Sequence, residues 1–387
     1  MVSALQQGSS GLVFMPEMQE LGFKCNIYAP VKSWNSENLG KRAKQTMSTV
    51  ALYALGAAKN AINDAGFELS QLQNERTCVF VGNCFGGINE LFKIEHCVKK
   101  LKKPTRAGLT GIVKIMNSTA SANLATYFGI KGRTGSISSS FACGIDNIGH
   151  GYELIKFGLQ DVCISGSSEG DCWKQLGVYF DNWKGMPRSF NSQPANACRP
   201  YDRDRQGFVM SCGAGILILE ALDHARKRGA KIYAEIVGFG SANDGDDMFR
   251  PNGKGLKRAI CQALTTNSNF SNNFVDYINT HGTGTPLGDR VEVKTIKDVF
   301  GSVVPHISST KGLTGHGLGA AGAQEAVYTL LMLHDDFVVP TTNLENIAPD
   351  CNGVPHVQIV EEKSLSTVMS FNVGLGGTAS CIVFKKI

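Results

Sequence analysis

Short apolar runs of strand length alternate with longer helical patterns from one end of this chain to the other, and few architectures accept that rhythm. The runs "TCVFVGN" (77–83), "QDVCISGS" (160–167) and "GAGILILEA" (213–221) are continuous in polarity, so they predict strands covered on both faces. The stretches "STVALYALGAAKNAINDAG" (48–66) and "GIDNIGHGYELIKFG" (144–158) carry small and apolar residues at helical spacing and end at a glycine. "GSISSS" (135–140) reads as a strand leading into the second of these helices. A second half opens at "KIYAEIVGFG" (231–240) and repeats the style. It holds a strand in "VDYINTHG" (275–282), helices in "VEVKTIKDVFG" (291–301) and "GAAGAQEAVYTLLML" (319–333), and two closing strands in "LSTVMSFNV" (365–373) and "SCIVFKK" (380–386). Such alternation predicts an α/β protein with parallel or mixed sheets, divided into halves at 1–229 and 230–387.

The 44 glycines among 387 residues suit many tight strand-to-helix turns. A net charge of +5 is too small to indicate nucleic acid but favours an acidic partner, and "VKKLKKPTR" (98–106) concentrates part of it. The 12 cysteines form no CxxC pair and sit mostly in apolar runs, which points to a reducing, cytoplasmic setting. "MVSALQQGSSGL" (1–12) has no signal-peptide pattern, and no apolar run reaches the ~18 residues of a membrane span. Nothing in these patterns predicts a cofactor or a metal.

Chemistry concentrates in three loops of the second half. "NTHGTGTPLGDRVE" (279–292) sets His281 at a strand end, and "SSTKGLTGHGLGAAG" (308–322) presents Lys311 and His316 ahead of a helix. "SFNVGLGGTAS" (370–380) is a glycine loop between the last two strands. Ends of strands are where open α/β sheets gather their sites, and glycine lets backbone N–H groups approach an oxyanion.

These loops, with "RPYDRDRQGF" (199–208), resemble the signature loops of elongating 3-oxoacyl-[acyl-carrier-protein] synthases along nearly the whole chain. The resemblance implies a thiolase-like fold of five αβαβα layers built from two duplicated halves. It also implies a cysteine nucleophile, two histidines, a lysine and a glutamate, and by motif the last four are His281, His316, Lys311 and Glu292. In that chemistry a thiolate takes the acyl chain from its carrier, and two imidazoles then hold the malonyl thioester oxygen as carbon dioxide leaves.

The nucleophile position is where this chain departs. Counting from "SISS" (136–139) upstream and "DNIGH" (146–150) downstream gives one register, which places Phe141 at that position and Asp146 where the family has histidine. Cys143 lies two residues on, rotated by roughly 200° and displaced by about 3 Å along a helix. A relative without its thiol resembles a chain-length factor, which pairs with an active synthase and shapes the acyl tunnel, as in fatty-acid-like, polyketide or aryl-polyene pathways. The alternatives are a self-sufficient synthase using Cys143 and an acyl-carrier-binding decarboxylase.

The resemblance implies further roles. Val373 and Leu375, with Gly376 and Gly377, occupy the gate loop where the family carries aromatic residues. Lys41, Arg42 and Lys44 match the carrier-docking region, although Gln45 stands where arginine is frequent. "TGIVKIMNSTASANLATYFG" (110–129) resembles the interface segment, so Ile115 or Met116 is expected to close the partner's tunnel. The family's first strand is expected to be missing from the given sequence, leaving an interior gap in a sheet. The expected partners are an active synthase subunit and an acyl carrier protein.

Overall fold

A computed structural model describes residues 1–32, 39–265 and 275–387. In the first half, strands β1 (Thr77–Gly82), β2 (Thr134–Gly135), β3 (Val162–Glu169) and β4 (Gly213–Glu220) form one sheet in the order β2-β1-β3-β4. β1 runs parallel to β2 and β3, and β4 runs antiparallel to β3. The second half adds β5 (Glu235–Asn243), β6 (Tyr277–Asn279), β7 (His306–Ser308), β8 (Thr367–Val373) and β9 (Thr378–Lys385), ordered β7-β6-β8-β9-β5. β6 is parallel to β7 and β8, while β9 is antiparallel to β8 and to β5. The two sheets therefore repeat one topology.

Helices complete the layers. α1 (Thr49–Asp64) and α2 (Thr119–Phe128) cover the outer face of the first sheet, and α4 (Lys254–Thr265) and α5 (Pro286–Phe300) cover that of the second. Between the sheets lie α3 (Cys143–Lys156) and α6 (Ala321–Asp335), packed on each other and on strands of both halves. That central layer tolerates no bulk. A Cβ on Gly144 would come within 2.3 Å of the Ala323 backbone, and one on Gly215 of β4 within 2.4 Å of the same residue. All eight residues of β3 are buried, which accounts for its unbroken apolar and small-residue run.

One expectation needs correction. Strand pairing in "GSISSS" stops at Gly135, because Ser139 and Ser140 leave the extended region to enter a short 3₁₀ turn at Ser140–Ala142. β5 covers the outer edge of β9, whereas the corresponding edge of β4 pairs with no strand among the described residues. A groove of about 1150 Å³ runs there, walled by Leu217, Leu219, Ile236, Leu330 and Phe384.

Candidate active site

The site forms where the ends of β6, β7 and β8 face the elbow that starts α3. The turn after β6 delivers His281, the turn after β7 delivers Lys311 and His316, and the end of β8 and the loop after it carry Val373 and Leu375. Ser140 at the elbow takes a φ of 55°, a left-handed conformation that projects the next side chain, Phe141, into the site. The Ser140 hydroxyl also accepts the Leu375 N–H at 3.0 Å, tying the elbow to the gate loop. A cavity of about 440 Å³ opens here, lined by Phe141, Phe208, His281, His316, Val373 and Leu375 among others.

The two imidazoles meet edge to face with ring centroids 5.1 Å apart. His316 Nδ1 accepts the Leu318 N–H at 3.1 Å, which leaves the proton on Nε2, and that buried atom has no partner. His281 Nδ1 lies 2.9 Å from the Asn372 amide nitrogen, which also donates to Glu325 at 2.7 Å, so His281 too carries its proton on Nε2. Burial, then the Lys311 charge, holds both imidazoles well below the usual histidine range, with His316 adding to the effect on His281. Both rings are neutral N–H donors.

Lys311 is fully buried. Its ammonium donates to the His281 carbonyl at 2.5 Å and forms an ion pair with Glu325. The carboxylate that supports the lysine is thus Glu325 of α6, not Glu292. Glu292 sits behind the His281 loop, accepting the Gly282 N–H at 3.1 and 3.2 Å and contacting the Tyr201 hydroxyl. Burial pushes its carboxyl up to about 8, against the lowering pull of Tyr201. One turn earlier, Asp289 accepts from Gly284 at 3.1 Å and from the Tyr201 N–H at 2.8 Å. These two acids shape the loop and do not reach the imidazoles' donor side.

Phe141 occupies the elbow. Its ring stacks on His281 at 6.5 Å and meets His316 edge-on at 4.7 Å, with Phe180 at 6.4 Å behind it. Cys143 is fully buried in the first turn of α3, and its thiol donates to the Gly319 carbonyl at 3.0 Å, outside the cavity lining. Asp146 binds the hydroxyls of Ser139 and Ser380.

The remaining expected residues lie elsewhere. Gly376 and Gly377 adopt φ of 77° and 73°, and a Cβ on Gly377 would fall 2.4 Å from Asp244, so the gate loop requires glycine there. Ile115 ends a one-turn helix, Gly111–Ile115, about which Met116 is 36% exposed. Lys41 and Lys44 lie on a short helix, Lys41–Thr46, with Lys41 exposed and Lys44 half-buried, while the Arg42 side chain lies outside the described residues. Among the described residues no helix is long and apolar enough to cross a membrane.

Two neutral imidazole donors converging on a strand-to-helix elbow, in a doubled five-layer fold, define the thiolase-like class of condensing enzymes. Profiles of the beta-ketoacyl synthase N-terminal and C-terminal domains match residues 26–225 and 233–345. The chain belongs to the beta-ketoacyl synthase family. It is 40% identical to 3-oxoacyl-[acyl-carrier-protein] synthase 1 of Haemophilus influenzae and 37% identical to that of Escherichia coli, over 100% of this chain and 94% of each relative. A beta-ketoacyl synthase from Burkholderia phymatum superposes with a TM-score of 0.94 at 30% identity, over 100% of this chain and 94% of that one. The ishigamide ketosynthase/chain length factor gives 0.91 at 26% identity, with the same coverage.

Proposed function

We propose that this chain serves acyl-chain condensation on an acyl carrier protein as a ketosynthase-family subunit that does not itself take up the acyl group. The reading rests on one observation. The Phe141 ring stands against both imidazoles at the elbow, and the nearby thiol of Cys143 faces Gly319 instead. Attack on a thioester demands a sulfur within about 3.5 Å of the carbonyl carbon in line with the donors. In this reading the chain pairs with an acylating synthase and contributes to its tunnel. The retained Nε2–H donors of His281 and His316 would still hold a malonyl thioester oxygen while the carboxylate leaves as carbon dioxide.

The curated relatives favour a second reading. They are named as 3-oxoacyl-[acyl-carrier-protein] synthases, which supports a self-sufficient synthase more than a chain-length factor. That reading needs Cys143 to leave Gly319 and replace Phe141 at the elbow. Mass spectrometry of the purified chain after incubation with acyl-carrier thioester separates the two. No acyl adduct is expected from the chain alone, and stoichiometric acylation of Cys143 would establish the second reading.

A further inference from the structure

Phe141 is flanked by two cysteines that neither reading uses as a pair. Cys84 follows β1 in a half-buried loop, and its thiol donates to the Ser140 carbonyl at 2.9 Å. Cys143 donates to the Gly319 carbonyl at 3.0 Å. A single buried carboxylate gathers the segments that carry these contacts. Glu169, at the end of β3, accepts the Cys84 N–H at 3.0 Å and the Gly319 N–H at 3.2 Å through the same oxygen, and its other oxygen has no partner. The approach is close enough that a Cβ on Gly319 would fall 2.5 Å from the Cys84 nitrogen. Within this frame the Cys143 thiol is near enough to help hold the Cys84 pKa above the usual thiol value, after the larger effect of burial.

The geometry points to a disulfide-forming pair: Cys84 and Cys143 are a modification site that a peroxide oxidises to one cross-link between the β1 loop and the elbow. Cys84 is the less buried partner and reacts first. Its sulfur forms an S–O bond as the peroxide O–O bond breaks, and the thiol proton leaves with the departing oxygen as water. The Cys143 sulfur then displaces the second oxygen, so the S–S bond forms, the S–O bond breaks and a second water leaves. Two thiols are oxidised and one peroxide is reduced. Burial and the neighbouring thiol hold the Cys84 pKa up, so the reaction is slow at neutral pH and faster as pH rises. Only two thiol–carbonyl hydrogen bonds are given up, to Ser140 and Gly319.

The test uses the intact chain. It is treated with hydrogen peroxide, its remaining thiols are trapped with N-ethylmaleimide before unfolding, and peptides are mapped without reductant. Cys261, the exposed thiol among the described residues, reports that the oxidant is active. The expected result is a Cys84–Cys143 linked peptide that dithiothreitol removes, forming several-fold faster at pH 8.5 than at pH 7. In Cys84→Ser the linkage should vanish while Cys143 stays alkylatable after unfolding. Oxidation of Cys261 with both Cys84 and Cys143 left free would overturn the proposal. So would sulfinic acid on Cys84 beside a free Cys143, or linkage of Cys84 to any other cysteine.

Discussion

The Phe141 ring meets the His316 imidazole edge to face at 4.7 Å, and the Nε2–H of that histidine is buried without a partner. An unmade hydrogen bond of that kind costs about 1–3 kcal/mol. The aromatic ring offers only a weak acceptor in return, so the donor stays ready for an oxyanion. The site thus keeps its electrostatics, with Phe141 at the elbow.

Phe141→Cys restores a sulfur at the elbow without altering His281, His316 or Lys311. The variant should acquire acylation by acyl-carrier thioester where the parent has none, read as an adduct by intact-mass spectrometry. A folded variant that never acylates would show that the donors alone do not make the elbow reactive. Phe141→Ala should cost about 3 kcal/mol in urea unfolding, near the low end for a buried phenylalanine because one side of the ring borders a cavity.

The Lys311–Glu325 pair is buried on both sides. Removing one partner strands the other charge, so Glu325→Ala should lose about 3–5 kcal/mol. Lys311→Met combined with Glu325→Leu should recover part of that loss, since no charge is then left unpaired. Denaturant midpoints of Lys311→Met, Glu325→Leu and the double variant decide whether the pair acts as a unit.

Glu292 supplies a pH signature. Its carboxyl is raised to about 8 in the fold, while an unfolded glutamate ionises near 4.5. Between those values the folded state holds a proton that the unfolded state releases, so this group's contribution to stability falls as pH rises through the window. Glu292→Gln removes the titration. The difference in unfolding free energy between parent and variant should change by up to one proton's worth of slope between pH 5 and 8 and level off above about 8. A flat difference across that range would mean that Glu292 is ionised in the fold.

How much of this was legible in the sequence depended on where the signal lay. Periodicity found β1 and β3, whose burial on both faces leaves an unbroken apolar run, and the central helix α3, but it missed the three-residue β7. It over-extended "GSISSS", where serine hydroxyls serve turns instead of a ladder. Motifs located His281, Lys311 and His316, whose loops are long and glycine-rich. They named Glu292 as the supporting glutamate and did not single out Glu325, which pairs with Lys311, since both lie on a helix following a glycine loop and only the folded geometry tells them apart. "GAQEA" did contain Glu325, four residues into α6, as the available clue. Asn372, which orients His281, and Glu169, which gathers the two thiols, had no such marker: each is a single polar residue at a strand end.

Met116 and Ile115 test the proposed subunit role most directly. Ile115 ends a one-turn helix and Met116 follows it; Ile115 is only partly buried and Met116 is 36% exposed in the single chain, so neither packs as a core residue would. Core truncation of an isoleucine or methionine costs about 2–5 kcal/mol, whereas a substitution at an exposed site stays within about 0.5 kcal/mol. Met116→Ala should therefore leave the thermal midpoint of the isolated chain nearly unchanged. In the assembly with an acylating synthase, the same change removes volume at the subunit boundary and should lengthen the products without slowing condensation, because it touches neither imidazole. Product length is read by mass spectrometry of the carrier-bound chains and rate by malonyl consumption. Unchanged products with a lowered midpoint would return Met116 to the packing of its own subunit and withdraw its place in the tunnel.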